Sequence, residues 1–217
     1  DAEAANAPVD MTMSFPDKTK YGGDVNYADK DLNGILDTRD LYYMGNTYPT
    51  WTGGFTNTFS YKGFALVVRM DYMTGFTIYN QAKIFLAGQW AGNLNFSQDL
   101  VTKGWHQSGD IAEYPQYIPG VGNYSYWRGS QNYTNGTTNS IFYESGNFLC
   151  LREVTLGYNI PSQLLQKIKI KGIRLNITGS NLYYFTKYDG MNPEDGGIDA
   201  GRYPMPRNVT IGASVTF

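Results

Sequence analysis

Asn208-Val209-Thr210-Ile211-Gly212-Ala213-Ser214-Val215-Thr216-Phe217 alternates without a break. Val209, Ile211, Ala213, Val215 and Phe217 are apolar, and the residues between them are small or polar. A period of two belongs to a strand with one face toward apolar surroundings and the other toward water. At about 3.3 Å per residue the stretch is ~33 Å long, and a tilt near 45° leaves it roughly 23 Å tall, close to the apolar band of a transmembrane barrel. The stretch therefore reads as a membrane strand rather than an ordinary one.

Four further segments carry the same period. Trp51, Phe55, Phe59 and Tyr61 oppose Thr52, Thr56, Thr58 and Ser60, with Asn57 alone out of place on the apolar side. Lys62-Gly63 signals a tight turn, after which Phe64, Leu66, Val68, Met70 and Tyr72 oppose Ala65, Val67, Arg69, Asp71 and Met73; the two segments predict a hairpin. Residues 149–160 are mixed at their start and then settle, with Val154, Leu156, Tyr158 and Ile160 opposite Glu153, Thr155, Gly157 and Asn159. Ile173, Leu175 and Ile177 oppose Arg174, Asn176, Thr178 and Ser180. The charges Arg69, Asp71, Glu153 and Arg174 fall on the wet side of their strands, as lipid contact demands, because a charge in mid-bilayer costs ~2–4 kcal/mol.

Composition supports an all-β class. The 217 residues include 25 Gly, and 16% of them are aromatic, tyrosine being the commonest at 19. Tyrosine suits a boundary between apolar and aqueous surroundings. The longest purely apolar run, Phe64 to Val68, is far short of the roughly 20 residues of a membrane helix, whereas barrel strands tolerate the low mean hydropathy of -0.41. A net charge of -2, with only the spaced Lys167, Lys169 and Lys171 as a basic series, argues against nucleic acid as a partner. The single Cys150 excludes an internal disulfide and argues against a thiolate metal cluster. The acidic, Ala-rich Asp1 to Asp10 lacks the basic and apolar regions of a signal peptide; either a signal lies upstream or the protein is not exported.

The connections alternate in length. Lys62-Gly63 is minimal and residues 161–171 are short, with about one helical turn expected around 163–167, while residues 75–148 and 181–207 read as long loops. Short turns at one end and long loops at the other are the barrel asymmetry. The predicted layout is thus an extracellular segment over 1–50, strands over 51–61, 63–74, 149–160, 172–180 and 208–217, and extracellular loops over 75–148 and 181–207. Five strands, or six with something in 10–28, cannot close a barrel whose smallest form has about eight, and an open edge in lipid leaves unpaired amides. The expectation is the carboxy-terminal part of a larger barrel, the remainder being another chain or a missing segment.

The sharpest local motif runs from Asp29 to Asp40. Asp29, Asp31 and Asn33 supply oxygen ligands at loop positions 1, 3 and 5, Gly34 the turn, Ile35 a backbone carbonyl at 7 and Asp40 a carboxylate at 12. These are the parts of a loop that wraps a hard cation such as Ca2+, with Asp in place of the usual Glu at the last position. The bland alternative is an Asp/Asn-rich turn that uses Asn33-Gly34 only to reverse direction.

The succession Gly23-Asp24-Val25-Asn26-Tyr27, the Asp29–Asp40 loop, Gly45-Asn46, Gly54-Phe55, Tyr61-Lys62-Gly63-Phe64, FLCLREVTLGY over Phe148 to Tyr158, Gly179-Ser180-Asn181-Leu182 and KYDGMNPE over Lys187 to Glu194 resembles the carboxy-terminal region of SusC/RagA-like TonB-dependent outer-membrane transporters. Thr210, Gly212, Val215 and Phe217 resemble the terminal strand signal read by the barrel-assembly machinery. The resemblance covers residues 23–217. Cys150 and Asp1 to Asp10 match no pattern of the family. What it implies is a 22-stranded barrel with an amino-terminal plug, a SusD-like surface lipoprotein as an extracellular lid, import of glycans or peptides, energy from TonB through the plug side, and a dimer of transporter and lipoprotein pairs in the bacterial outer membrane.

Trp90, Trp105, Tyr126 and Trp127, with Tyr114, Tyr117, Tyr124 and Tyr133, crowd the loop 75–148. Packing of the loop against itself is the leading reading of these rings, contact with a partner or stacking on a ligand the sharper one. Arg69, Asp71, Glu153, Arg174 and Asn176 are expected to face the barrel lumen, as a polar network or in substrate recognition. His106 is the sole histidine and has no acid or nucleophile at a recognisable spacing, so a hydrolytic triad is not expected. The Asn-x-Ser/Thr matches at Asn95, Asn123, Asn132 and Asn135 are expected by chance in Asn-rich loops. The transporter is the leading functional reading; a soluble calcium-stabilised carbohydrate-binding β-sandwich is the alternative, and a glycosidase would need a carboxylate pair that sequence cannot demonstrate.

Overall fold

The computed structural model describes residues 2–10, 20–87, 95–116, 139–166 and 170–217. The chain divides into two units, one made of residues 1–44 and 79–143, the other of residues 45–78 and 144–217.

The second unit is built on five long antiparallel strands, β1 (Trp51–Tyr61), β2 (Phe64–Thr74), β3 (Phe148–Asn159), β4 (Gly172–Thr186) and β5 (Asn208–Thr216). Each is bonded to the next in sequence, giving a five-stranded meander. The sheet does not close on itself, and among the described residues the outer edges of β1 and β5 carry no further strand. Lys62 (φ 44°) and Gly63 (φ 86°) both take the left-handed region, which is what a two-residue turn matching strand twist requires. That turn and the link over residues 160–171, with a helical turn at Ser162–Leu165, occupy one end of the sheet. The long connections leave from the other.

Register fixes the two faces. Phe59 pairs with Leu66, which pairs with Leu156, which pairs with Ile177, which pairs with Ile211, so one apolar band crosses all five strands. That band is open: Phe59 is 61% and Ile211 80% exposed. On the reverse face Val67, Thr155, Thr178 and Thr210 form the matching row, with Thr155 and Thr178 hydroxyls 2.9 Å apart. A soluble β-sandwich needs a second sheet over the apolar band; among the described residues nothing buries it.

Strand limits differ from the alternation by more than one residue at one place. β4 runs to Thr186 rather than stopping at Ser180, so the loop expected over 181–207 starts later. Its ladder with β3 jumps from Glu153–Ser180 to Leu151–Tyr183, and that of β3 with β2 from Arg69–Glu153 to Met70–Leu151. Arg152 is the extra residue of a β-bulge. The bulge reverses the phase of β3, returning Leu149 and Leu151 to the apolar face and sending Phe148 and Cys150 to the other. This accounts for the mixed start of that segment. On the polar face Phe148 and Cys150 meet Phe76, Ile78 and Tyr188 in a small buried core.

In the first unit Ile84, Ala87, Leu100, Tyr114 and Phe142 form the core. Two short helices, Gln81–Leu86 and Gln98–Thr102, are capped by the side chains of Asn80 and Ser97 within the region expected to be one long loop. Val9–Asp10 pairs in parallel with Ile35–Leu36. No helix of the described residues is long and apolar enough to cross a membrane.

Candidate functional site

The polar face of the sheet gathers the charges of β2, β3 and β4. Arg69 is opposite Glu153, which is opposite Ser180, and Asp71 lies in the row of Cys150 and Tyr184. Asn176 lies between Gly157 and Gly212, and Arg174 between Asn159 and Ser214. Arg69, Asp71, Glu153, Arg174 and Asn176 therefore share one face. The glycines make room for their neighbours: a Cβ at Gly212 would stand 2.7 Å from Asn176 Oδ1, and one at Gly157 would touch the Arg174 guanidinium at 3.5 Å. Thr210 and Gly212 belong to this face as well. Val215 pairs with Ile173 on the apolar side, and Phe217 follows it, 79% exposed.

Sequence reasoning missed the centre of this face. Arg152 donates through Nε and Nη2 to the two oxygens of Asp71, at 2.9 and 2.7 Å, through Nη2 also to Glu194, and through Nη1 to Asn181 Oδ1 at 2.8 Å and Tyr184 Oη at 3.3 Å. Tyr184 Oη donates in turn to Glu194. The guanidinium fork is suited to holding a carboxylate with two bonds while keeping donors for others. Glu194 belongs to a 3-10 turn, Pro193–Asp195, capped by Asn192, so the cluster ties the segment after β4 to the strands. The overlooked signal is Arg152-Glu153: two adjacent charges cannot both take the wet side of a regular strand.

The Asp29–Asp40 loop stands in the other unit. Asp29 accepts from the backbone N–H of Asn33 (3.3 Å) and Gly34 (2.7 Å), Asp31 from Asn33 N–H (3.4 Å), and Asn33 Oδ1 from Ile35 N–H (2.7 Å). Asp40 accepts from the backbone N–H of Lys30 (2.9 Å) and Asp37 (2.8 Å). Leu32 and Gly34 have positive φ, closing the loop so that one carboxylate oxygen each from Asp29, Asp31 and Asp40 lie within 4.8 Å of one another. Oxygens bound to one Ca2+ at about 2.3–2.6 Å can be at most about 5 Å apart, so the three carboxylates fit a single ion. Arg39 competes for one of them, standing 3.6 Å from Asp31, and pairs with Asp37 at 2.8 Å. Hydrogen bonds from backbone N–H groups hold the Asp40 carboxyl below the usual range, and the Arg39 side chain does the same for Asp37.

Of the aromatic contacts expected, Trp90, Tyr126 and Trp127 lie outside the described residues. Trp105 is half-buried. Its ring lies 2.7 Å from where a Cβ on Gly23 would stand, so it packs over the glycine of the Gly23-Asp24 motif.

No protein-family model matches the chain. TonB-dependent receptor P39 of Formosa agariphila is 30% identical over 99% of this chain and 21% of its own length. TonB-dependent receptor P3 of the same organism is 29% identical over 95% and 20%. TonB-dependent receptor SusC of Bacteroides thetaiotaomicron is 25% identical over 88% of this chain and 17% of its own length. The chain thus spans about a fifth of the curated relatives it matches. Among solved structures, the RagAB peptide transporter superposes with a TM-score of 0.63 at 26% identity, over 79% of this chain and 17% of that one. The RagAB peptide importer in its open-open state gives 0.68 at 23%, over 88% and 20%.

Proposed function

We propose that this chain, which is similar over most of its length to SusC/RagA-like TonB-dependent receptors, forms carboxy-terminal wall strands and extracellular loops of a bacterial outer-membrane importer. The observation that carries this reading is the apolar band of the sheet, open across five strands, against a reverse face that holds every charge of those strands named above. In water such a band is a docking or membrane surface. In a bilayer it meets acyl chains, and the charged face lines the lumen. The two open edges favour further strands of the same wall, 22 in all by resemblance, around a plug, because unpaired amides in hydrocarbon cost several kcal/mol each.

The importer reading carries further proposals with it. Glycans or peptides are the cargo, a SusD-like lipoprotein is the extracellular lid, TonB supplies energy through the plug side, and two such pairs associate. Thr210, Gly212, Val215 and Phe217 serve barrel assembly. A structural Ca2+ is held by Asp29, Asp31, Asn33, the Ile35 carbonyl and Asp40. No reaction is assigned to this chain.

Cysteine scanning of the full receptor in cells tests the wall. Cysteines replacing Leu156, Ile177 and Ile211 are expected to resist a water-soluble maleimide, and those replacing Thr155, Thr178 and Thr210 to react. Equal labelling of both sets would overturn the membrane reading.

A further inference from the structure

We propose that the turn end of the sheet binds acidic phospholipids, with Lys62 and Lys171 taking the headgroup phosphate and the rings beside them the acyl chains, an assignment that rests on the membrane reading of the apolar band. Charge is spread unevenly along the strands. No Asp or Glu occurs in residues 41–70, 154–188 or 200–217. Past the row of Arg69 and Glu153 the turn-side part of the sheet therefore carries cations alone, namely Lys62, Lys171 and Arg174, to which the link between β3 and β4 adds Lys167 and Lys169 in sequence. Asp71 and the Arg152 cluster lie on the other side of that row.

Arg174 shares the polar face with Asn176, but the two lysines belong to the apolar side. Lys62 Nζ stands 5.2 Å from the centre of the Tyr61 ring, and Tyr61, paired in register with Phe64, is 70% exposed. Lys171 keeps the phase of Ile173 and Leu175, and its N–H donates to the Thr216 carbonyl at 2.8 Å, beside Phe217. Both lysines are exposed, and among the described residues neither has an ionic partner. Phe64 and Tyr158, ring centres 4.4 Å apart, complete an aromatic border. At such a border a lysine lays its stem along apolar surface and keeps its ammonium among headgroups.

The strand ends put both lysines at one depth. Phe64, Tyr158, Leu175 and Ala213 form a single row. Past it β3 runs on to Asn159, β4 to Gly172 and β5 to Thr216, which is one, three and three residues. Strands about 4.8 Å apart and tilted by about 40° end at a common level when each outruns the last by about 4 Å, or roughly 1.2 residues. Lys62 and Lys171, each just past the end of its strand, therefore meet the same headgroup layer. A zwitterionic headgroup brings its own ammonium to the phosphate, whereas an acidic one leaves that charge to the lysines. A soluble anion gains nothing from the exposed rings that flank both cations.

The full receptor in detergent is titrated with dioctanoyl phosphatidylglycerol, dioctanoyl phosphatidylcholine and an octa-aspartate peptide, and native mass spectrometry counts the bound molecules. Phosphatidylglycerol is expected to bind about fivefold or more tighter than phosphatidylcholine, with the gap shrinking as salt rises from about 50 to about 500 mM. Lys62→Asn, which suits the left-handed turn, and Lys171→Gln are each expected to narrow the gap about threefold and together to close it, with phosphatidylcholine binding unchanged. If one variant does not assemble, the other decides. Equal affinities for the two lipids, a preference that survives in the variants, or octa-aspartate binding with the same dependence on the two lysines would each overturn the site. Equal affinities together with maleimide labelling confined to the polar face would do so while leaving the membrane reading intact. Equal labelling of both faces, with a lysine-dependent preference for phosphatidylglycerol retained, would instead overturn the membrane reading and leave the headgroup site standing.

Discussion

Arg152 and Asp71, 81 residues apart in sequence, are joined by two parallel hydrogen bonds of 2.9 and 2.7 Å. The bond exists because a bulge lifts Arg152 out of the ladder and aims it along the polar face, where Glu194, Asn181 and Tyr184 complete its shell. Arg152 is 16% exposed and Asp71 31%, so water moderates the pairing. Arg152→Ala is expected to cost about 2–4 kcal/mol, because it leaves two carboxylates facing each other without their cation. Arg152→Lys recovers little, since an ammonium cannot hold Asp71 with two bonds and still reach Asn181. Limited proteolysis between residues 187 and 199, with amide exchange across β3 and β4, reports the loss. Unchanged rates in the alanine variant would show that the cluster does not hold the segment.

The Lys62-Gly63 turn makes an opposite pair of predictions. A Cβ at Gly63 would stand 2.8 Å from the Asn159 carbonyl oxygen, at a φ of 86°, so Gly63→Val is expected to destabilise the hairpin by about 1–3 kcal/mol. Lys62 already sits at φ 44° with a side chain ill suited to it. Lys62→Asn is expected to stabilise by up to about 1 kcal/mol. Urea unfolding of the full barrel in detergent separates the two.

In the Asp29–Asp40 loop, Arg39 competes with any ion for Asp31. Removing its charge in Arg39→Gln is expected to raise Ca2+ affinity about three- to tenfold, more at low salt than at high, and Asp31→Asn to lower it. Terbium luminescence reads both, and an unchanged affinity in both variants would mean that no ion sits there. Acid acts on the same groups. The folded-state values of Asp37 and Asp40 are depressed, so their contribution is intact above the unfolded value of about 3.9 and disappears as pH falls through the lower folded one. Loop protection from protease is thus expected to hold from pH 7 to 5 and to fail below about pH 4.

How far the sequence reveals the fold depends on how each element is stabilised. β1, β2 and β5 were legible because apolar and polar residues alternate along nearly their whole length, with Asn57 the exception in β1, so that one register keeps each face uniform. The end of β4 was not, because Asn181 at φ 52° reads as a turn and Leu182-Tyr183-Tyr184-Phe185 has no polar partner set to mark a period. There the strand is held by its neighbour, Tyr183 and Phe185 pairing with Leu151 and Leu149. The helices Gln81–Leu86 and Gln98–Thr102 are too short for a 3.6-residue period to show. Ser97, read as part of a glycosylation match, is the cap of the second. Of the polar face, the residues in regular alternation were found and Arg152 was not, since its place depends on the bulge.

Tyr188 and Asp199 close the segment that follows β4. Tyr188 Oη donates to Asp199 Oδ2 at 2.6 Å, and both are almost wholly buried, at 6% and 1% exposure. Burial first, and then the hydrogen bond to Asp199, raise the phenol well above its ordinary value. A raised folded-state value means that the contribution is complete below the unfolded value of about 10 and is lost as pH climbs from there toward the folded one. Tyr188→Phe keeps the ring in its core with Phe148 and Cys150 but leaves Asp199 with only the Gly201 N–H at 2.8 Å. The expected cost is about 1–3 kcal/mol, seen as faster cleavage between residues 187 and 207. Between about pH 10 and 11 wild-type protection is expected to fall toward that of the variant, whose own protection does not change over that range. Parallel pH profiles for the two proteins would mean that the phenol proton contributes nothing to holding the segment.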